Sequence, residues 1–121
     1  MDTRAAAQRF ADTWQLGWSD HDVEAITALY AEDAVARSMP FRPAHHGRQA
    51  IAEYVRWSFD GETPLTVTFS TPLVDGDQAA IEFRVHALEH GKPTALAGCV
   101  FVRFTPGGLA AETRDYWHTE A

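Results

Sequence analysis

An α+β fold is predicted for this 121-residue chain by a change of period partway along it. Through roughly the first sixty residues, apolar side chains return every three or four positions, as on amphipathic helices. From Leu65 onward they alternate with polar ones. That run is broken at Asp75-Gly76-Asp77, His90-Gly91 and Pro106-Gly107-Gly108, the punctuation of four antiparallel strands joined as a meander. With 45% hydrophobic residues and neither repeats nor low-complexity segments, residues 1–121 are read as one domain, able to bury a core without disulfides or structural metal.

In the helical half, Phe10, Trp14 and Trp18 follow one another at four-residue spacing behind Ala6 and Ala7. With Asp2 or Thr3 as cap, they predict a helix over residues 3–17. The stretch SDHDVEAITALY predicts a second helix, capped by Ser19 or Asp20, with Asp22 and Glu24 in its first turn and Val23, Ile26 and Tyr30 on one face. A third is predicted from about Arg48 to Asp60. There Ile51, Val55 and Phe59 form the stripe, Tyr54 and Trp57 flank it, and Gly61 supplies a left-handed stop. Between the second and third helices, AVARSMPFRPAHHG reads as a short strand followed by a Pro-rich loop.

The turns set an expected register. A three-residue loop at Asp75-Gly76-Asp77 opposes Val74 to Gln78, Phe69 to Phe83 and Val67 to Val85. A two-residue turn at His90-Gly91 pairs Val85 with Leu96, Phe83 with Gly98 and Ile81 with Val100. A two-residue loop at either Pro106-Gly107 or Gly107-Gly108 then sets Thr113, Asp115 and Trp117 on the face of Leu96, Val100, Val102 and Phe104. That face, with Leu65, Val67 and Phe69, is the expected core side, and Asp115 is its lone carboxylate. A carboxylate facing an apolar interior must be hydrogen-bonded, paired or shifted toward neutrality. Asp115 is therefore either held structurally by a Tyr, Trp or His from the helices or placed in a pocket as an acid or base.

The opposite face carries Glu82, Arg84, His86, Cys99, Phe101, Arg103, Glu112, Arg114, Tyr116 and His118. It is either solvated or a dimer surface, and Phe101, Tyr116 and the arginines favour a homodimer. Ten basic against 17 acidic residues, a net charge of −7, argues against nucleic acid as a partner. The single cysteine, Cys99, reads as a small buried hydrophobe in a reducing, cytoplasmic compartment. No membrane association is expected, because neither a signal-type N-terminus nor an 18-residue apolar run is present. The histidines lack metal-site spacing, so neither metal nor cofactor is expected. His45 and His46 in the Pro-rich loop are placed at a cavity rim, with His46 as a candidate acid/base.

LYAEDAV after a short helix, SMPFRPAHHGRQAI entering the next helix and the terminal RDYW together resemble the SnoaL-like branch of the nuclear transport factor 2-like superfamily. The resemblance implies a cone in which a curved antiparallel sheet wraps three helices from the N-terminal half and leaves an internal cavity for an apolar ligand, often in homodimers. Residues at several positions bear on the chemistry. The places of the ketosteroid isomerase acids fall on Ser38 and about Val100, and its helix tyrosine on about Phe10 or Trp14, so that mechanism is not expected here. Asp115 falls on the last-strand Asp of limonene epoxide hydrolase. The water-holding positions of that enzyme match Ala36 and Ser38, while Glu82 and Arg84 stand reversed on the other face. Polyketide cyclases of the SnoaL type use a pocket Asp as acid/base, for which one carboxylate suffices. The expectation is a small apolar molecule in a cavity lined by Trp14, Trp18, Tyr30, Ser38, Tyr54, Phe83, Val100 and Trp117, with Asp115 as catalytic acid/base. The alternative is a non-catalytic binding or assembly module.

Overall fold

The computed structural model describes residues 1–120; Ala121, the last residue of the expected domain, lies outside the described residues. Helix α1 runs Thr3–Asp20, three residues beyond the predicted end. Asp2 caps it, its Oδ1 accepting the Ala5 N–H at 2.7 Å. The helix stops where His21 turns left-handed at φ 53°. The residues expected to cap the second helix thus lie inside the first. Asp22 takes that role, accepting the Ala25 N–H at 3.1 Å, and α2 is a short turn of helix, Val23–Thr27. Gly17 lets the two helices meet, since a Cβ there would stand 2.6 Å from Ile26 Cγ1. Helix α3, Arg48–Phe59, buries Ile51, Val55 and Phe59 as its spacing predicts, and Gly61 follows it at φ 75°.

Tyr30 corrects the reading of the second helix. Its four-residue spacing from Ile26 mimics a helical face, but it opens strand β1, Tyr30–Ser38. The Tyr30 carbonyl accepts the Arg48 Nε–H at 2.9 Å. After β1 come β2, His45–His46; β3, Glu62–Phe69; β4, Leu73–Asp75; β5, Gln78–Glu89; β6, Lys92–Phe104; and β7, Ala110–Thr119. The curved, unclosed sheet has the order β2-β1-β7-β6-β5-β3, with β4 also on β5. The expected antiparallel meander is present. Its last strand also pairs with β1 in parallel, Ser38 opposite Asp115.

The β5–β6 register agrees with the expected one through Val85–Leu96, Phe83–Gly98 and Ile81–Val100. The first turn does not. Asp75 pairs with Gln78 and Val74 with Ala79 across a two-residue loop, and the irregular Ser70-Thr71-Pro72 link returns Phe69 to Phe83 and Val67 to Val85. The last turn differs too. Phe104 pairs with Ala110 across a five-residue connection, and a bulge between there and Arg103–Glu112 shifts the register by one. The odd loop and the bulge cancel, so Val100 meets Asp115 as the Gly107-Gly108 alternative requires. At Leu65 nothing cancels. A second bulge takes this residue out of the β3–β5 ladder and leaves it 59% exposed, not on the core side.

The core lies between the helices and the concave face of the sheet. Phe10, Ile26, Ile51, Ile81 and Val102 are fully buried there. Phe10 meets Tyr30 and Phe104 edge-on, with centroids 5.8 and 6.2 Å away. No helix among the described residues is long and apolar enough to cross a membrane.

Candidate functional site

Not all of the concave side is filled. A cavity of about 390 Å³ remains between α1, α3 and strands β5 to β7, within the size range of small-molecule sites. Trp14, Trp18, Ser38, Tyr54, Phe83, Trp117 and Asp115 line it. Trp14 and Trp18 project from one face of α1, and Trp18 packs between Phe59 and Phe83 with centroids 6.1 Å from each. Gly98 carries no side chain between Phe83 and Trp117, and a Cβ there would stand 2.6 Å from the Trp117 Cβ.

Asp115 sits on β7 with a neighbour strand on each side, Ser38 of β1 and Val100 of β6. Its backbone carbonyl accepts the Met39 N–H at 2.9 Å, which fixes the end of β1 where Met39 turns to φ 70°. The Trp117 indole N–H donates to Ser38 Oγ at 2.9 Å, so the Ser38 proton is left to point elsewhere. The Arg42 guanidinium lies 5.3 Å over the Trp117 ring. Asp115 Oδ1 is buried and has no hydrogen-bond partner among the described residues. Burial pushes the Asp115 carboxyl up to about 6; Ser38, Trp117, Arg42 and the Met39 amide pull the other way, and burial prevails.

Tyr30 and Val100 are buried behind the cavity wall, not on it. Tyr30 accepts the Trp14 indole N–H at 3.3 Å, and burial raises its phenol well above the ordinary value. His46 is not at a cavity rim. It is exposed on β2, opposite Val35, because the HH pair extends the sheet edge. His45 stacks on Tyr54, with centroids 4.4 Å apart, supporting a wall residue from behind. Cys99 lies half-buried on the convex face, where burial pushes its thiol up. Among the described residues no three His, Cys, Asp or Glu side chains converge as metal ligands would.

Several lining residues escape the sequence reading, and three of them change the character of the cavity. Arg42 comes from the Pro-rich loop, and Trp57 flanks the α3 stripe and stands 68% exposed. Glu62 opens β3; its Oε1 accepts the Trp18 indole N–H at 2.8 Å and meets His21 Nε2 at 3.1 Å. The Leu65 bulge turns Glu62 onto the cavity side, level with Glu89. A strict alternation counted back from Phe69 sends it outward, so no local signal marks it.

Solved structures similar to this one share its fold at low identity. They include Rv0760c from Mycobacterium tuberculosis (19% identity over 99% of this chain and 100% of that one, TM-score 0.80). A candidate isomerase from Bacillus subtilis matches at 22% identity over 98% of this chain and 90% of that one, TM-score 0.80. A candidate SnoaL-like polyketide cyclase from Mesorhizobium loti matches at 21% over 96% and 99%, TM-score 0.80. The family model of the SnoaL-like domain matches residues 7–113, ending two residues before Asp115. The match spans most of the chain, and the protein belongs to the SnoaL-like domain family within the nuclear transport factor 2-like superfamily.

Proposed function

We propose that the cavity binds a small, largely apolar molecule and that Asp115 exchanges a proton with it, in a reaction of the cyclase, isomerase or hydrolase kind. One observation carries this reading: Asp115 lies on the cavity wall with a buried oxygen that has no hydrogen-bond partner among the described residues. A carboxyl held near pH 6 can both give and take a proton at neutral pH, which suits general acid/base work. The resemblance puts the ketosteroid isomerase acids at Ser38 and about Val100, and these two positions flank Asp115 in one row across β1, β7 and β6. On this reading the row keeps its carboxyl but moves it to the central strand.

Proton exchange at carbon tests the reading without knowledge of the substrate. Deuterium uptake α to the carbonyl is followed by NMR for a panel of cyclic ketones and β-ketoesters. The protein should accelerate uptake for some members, and Asp115→Asn should lose about 10²-fold or more of that rate while still binding them. An Asn variant as fast as the parent would eliminate Asp115 as the acid/base.

The second reading, a non-catalytic binding module, draws on the lack of another acid or base bonded to Asp115. It predicts binding without exchange in either variant. In both readings the convex face pairs two copies through Phe101, Tyr116 and Arg114. Phe101 and Tyr116 have centroids 6.0 Å apart, and the Arg114 guanidinium lies 4.7 Å over Phe101. Sedimentation equilibrium should give a dimer that Tyr116→Asp dissociates; a monomeric parent protein would exclude it. The reducing, cytoplasmic setting is supported by the single cysteine alone.

A further inference from the structure

The end of the cavity away from Asp115 is built differently from a purely apolar slot. Asp115 is level with Ile81 of β5 and Glu62 with Glu89, so the two carboxylates stand at opposite ends of the wall formed by Phe83, Val85 and Ala87. The Glu62 side chain is only 10% exposed. Its Oε1 is held by Trp18 and His21, and its Oε2 makes no hydrogen bond among the described residues. Asp60 and Glu89 add two more carboxylates at the nearby rim, both exposed. Against these acids and Asp115, the cavity lining offers two groups able to carry positive charge, His90 and Arg42.

Arg42 is committed at the other end, where it covers the Trp117 ring. The Glu62 end has the same ingredients, a carboxylate beside aromatic faces, and no arginine or lysine among the described residues that line it. Trp18 donates to Glu62 there, and Phe59 packs against Trp18 with centroids 6.1 Å apart. His21 stacks flat on one side of Phe59, with centroids 4.3 Å apart. A nine-tenths buried carboxylate beside open space is costly for a neutral apolar guest, which would strip water from it and return nothing. A cation would be attracted by the carboxylate and by the ring faces together.

We infer that the ligand is an organic cation with an apolar body. Its ammonium head sits at Glu62 beside Trp18 and Phe59, and its body runs along β5 past Phe83 toward Trp117 and Asp115. This rests on the reading of the cavity as a ligand site and specifies the charge of what enters it.

Three probes with one benzyl body separate the possibilities: benzyltrimethylammonium, its uncharged isostere neopentylbenzene, and phenylacetate. Affinities are read by calorimetry and indole fluorescence on the full chain at about 0.15 M salt, where long-range attraction to the net charge is largely screened. The cation should bind about tenfold more tightly than neopentylbenzene, and phenylacetate most weakly. Glu62→Gln, which keeps an acceptor for Trp18, should erase the difference between cation and isostere. Glu82→Gln removes the same charge from the exposed convex face and should preserve it. Equal binding of cation and isostere by the parent overturns the inference alone. So does a preference that survives Glu62→Gln or disappears equally in Glu82→Gln. Failure of all three probes to bind overturns the ligand-site reading along with it.

Discussion

Asp115 and Glu62 line one cavity, yet the protein meets their charges in opposite ways. Glu62 is tied through one oxygen to two donors, the Trp18 indole and His21, which come from α1 and the residue that ends it. Asp115 is wedged between Ser38 and Val100 on adjacent strands with one oxygen buried and unanswered. Ser38, level with it on β1, accepts from Trp117 and keeps its own proton free. The difference separates a carboxylate that anchors from one that is kept uncomfortable. Unsatisfied buried groups are rare because they lower stability, and where they persist a functional cost is the usual physical reason.

The largest test of this contrast is a pair of isosteric neutralisations followed across pH. For Asp115, whose carboxyl is raised from 3.8 to about 6 in the folded protein, both states are protonated at low pH. Between those values the unfolded chain releases its proton while the folded one holds it. Stability attributable to this group is therefore full below about 3.8, falls as pH rises, and is gone above about 6, a loss on the order of 3 kcal/mol. Asp115→Asn should remove that slope. Thermal unfolding at pH 7.5 should show a more stable variant, with the gain vanishing by pH 4. Glu62→Gln should show the opposite sign and a smaller size, a loss of about 1 kcal/mol at pH 7.5, as a charge-assisted bond to His21 becomes a neutral one. If both variants lose stability at pH 7.5, Asp115 is a structural tie like Glu62 and the contrast collapses.

The contrast was half legible in the sequence, for reasons that trace to range. Helices α1 and α3 and the β5–β6 hairpin announce themselves through spacing, caps and a two-residue turn, all local. A two-residue turn puts Asp115 on the concave side, and it does lie there, because two irregularities, the five-residue connection before Ala110 and the bulge after it, have effects on parity that cancel. Glu62 was hidden by one irregularity at Leu65 that nothing cancels. Tyr30 misled because helix and strand both tolerate an aromatic four residues after Ile26. The deciding partner, β7, lies some eighty residues away and pairs in parallel, which no turn signal encodes. Likewise, the row Ser38–Asp115–Val100 exists only once that parallel pairing is made.

That row supplies the finest test. Ser38 is 6% exposed and accepts from Trp117, so its own proton is free, and of the groups that oppose burial at Asp115 without adding charge it has the largest effect. Ser38→Ala removes this hydroxyl with little change of volume. The midpoint of Asp115, followed by carboxyl carbon chemical shift against pH, should move upward from about 6, because burial is then opposed by fewer groups. The Trp117 indole N–H loses its acceptor in the same variant, and its amide-region resonance should shift toward that of a solvent-bonded indole. A midpoint that stays in place would mean that the Ser38 proton points away from Asp115. The carboxylate would then be balanced by Arg42, Trp117 and the Met39 amide alone, and Arg42, the exposed cation over Trp117, would become the group that sets the acidity of the site.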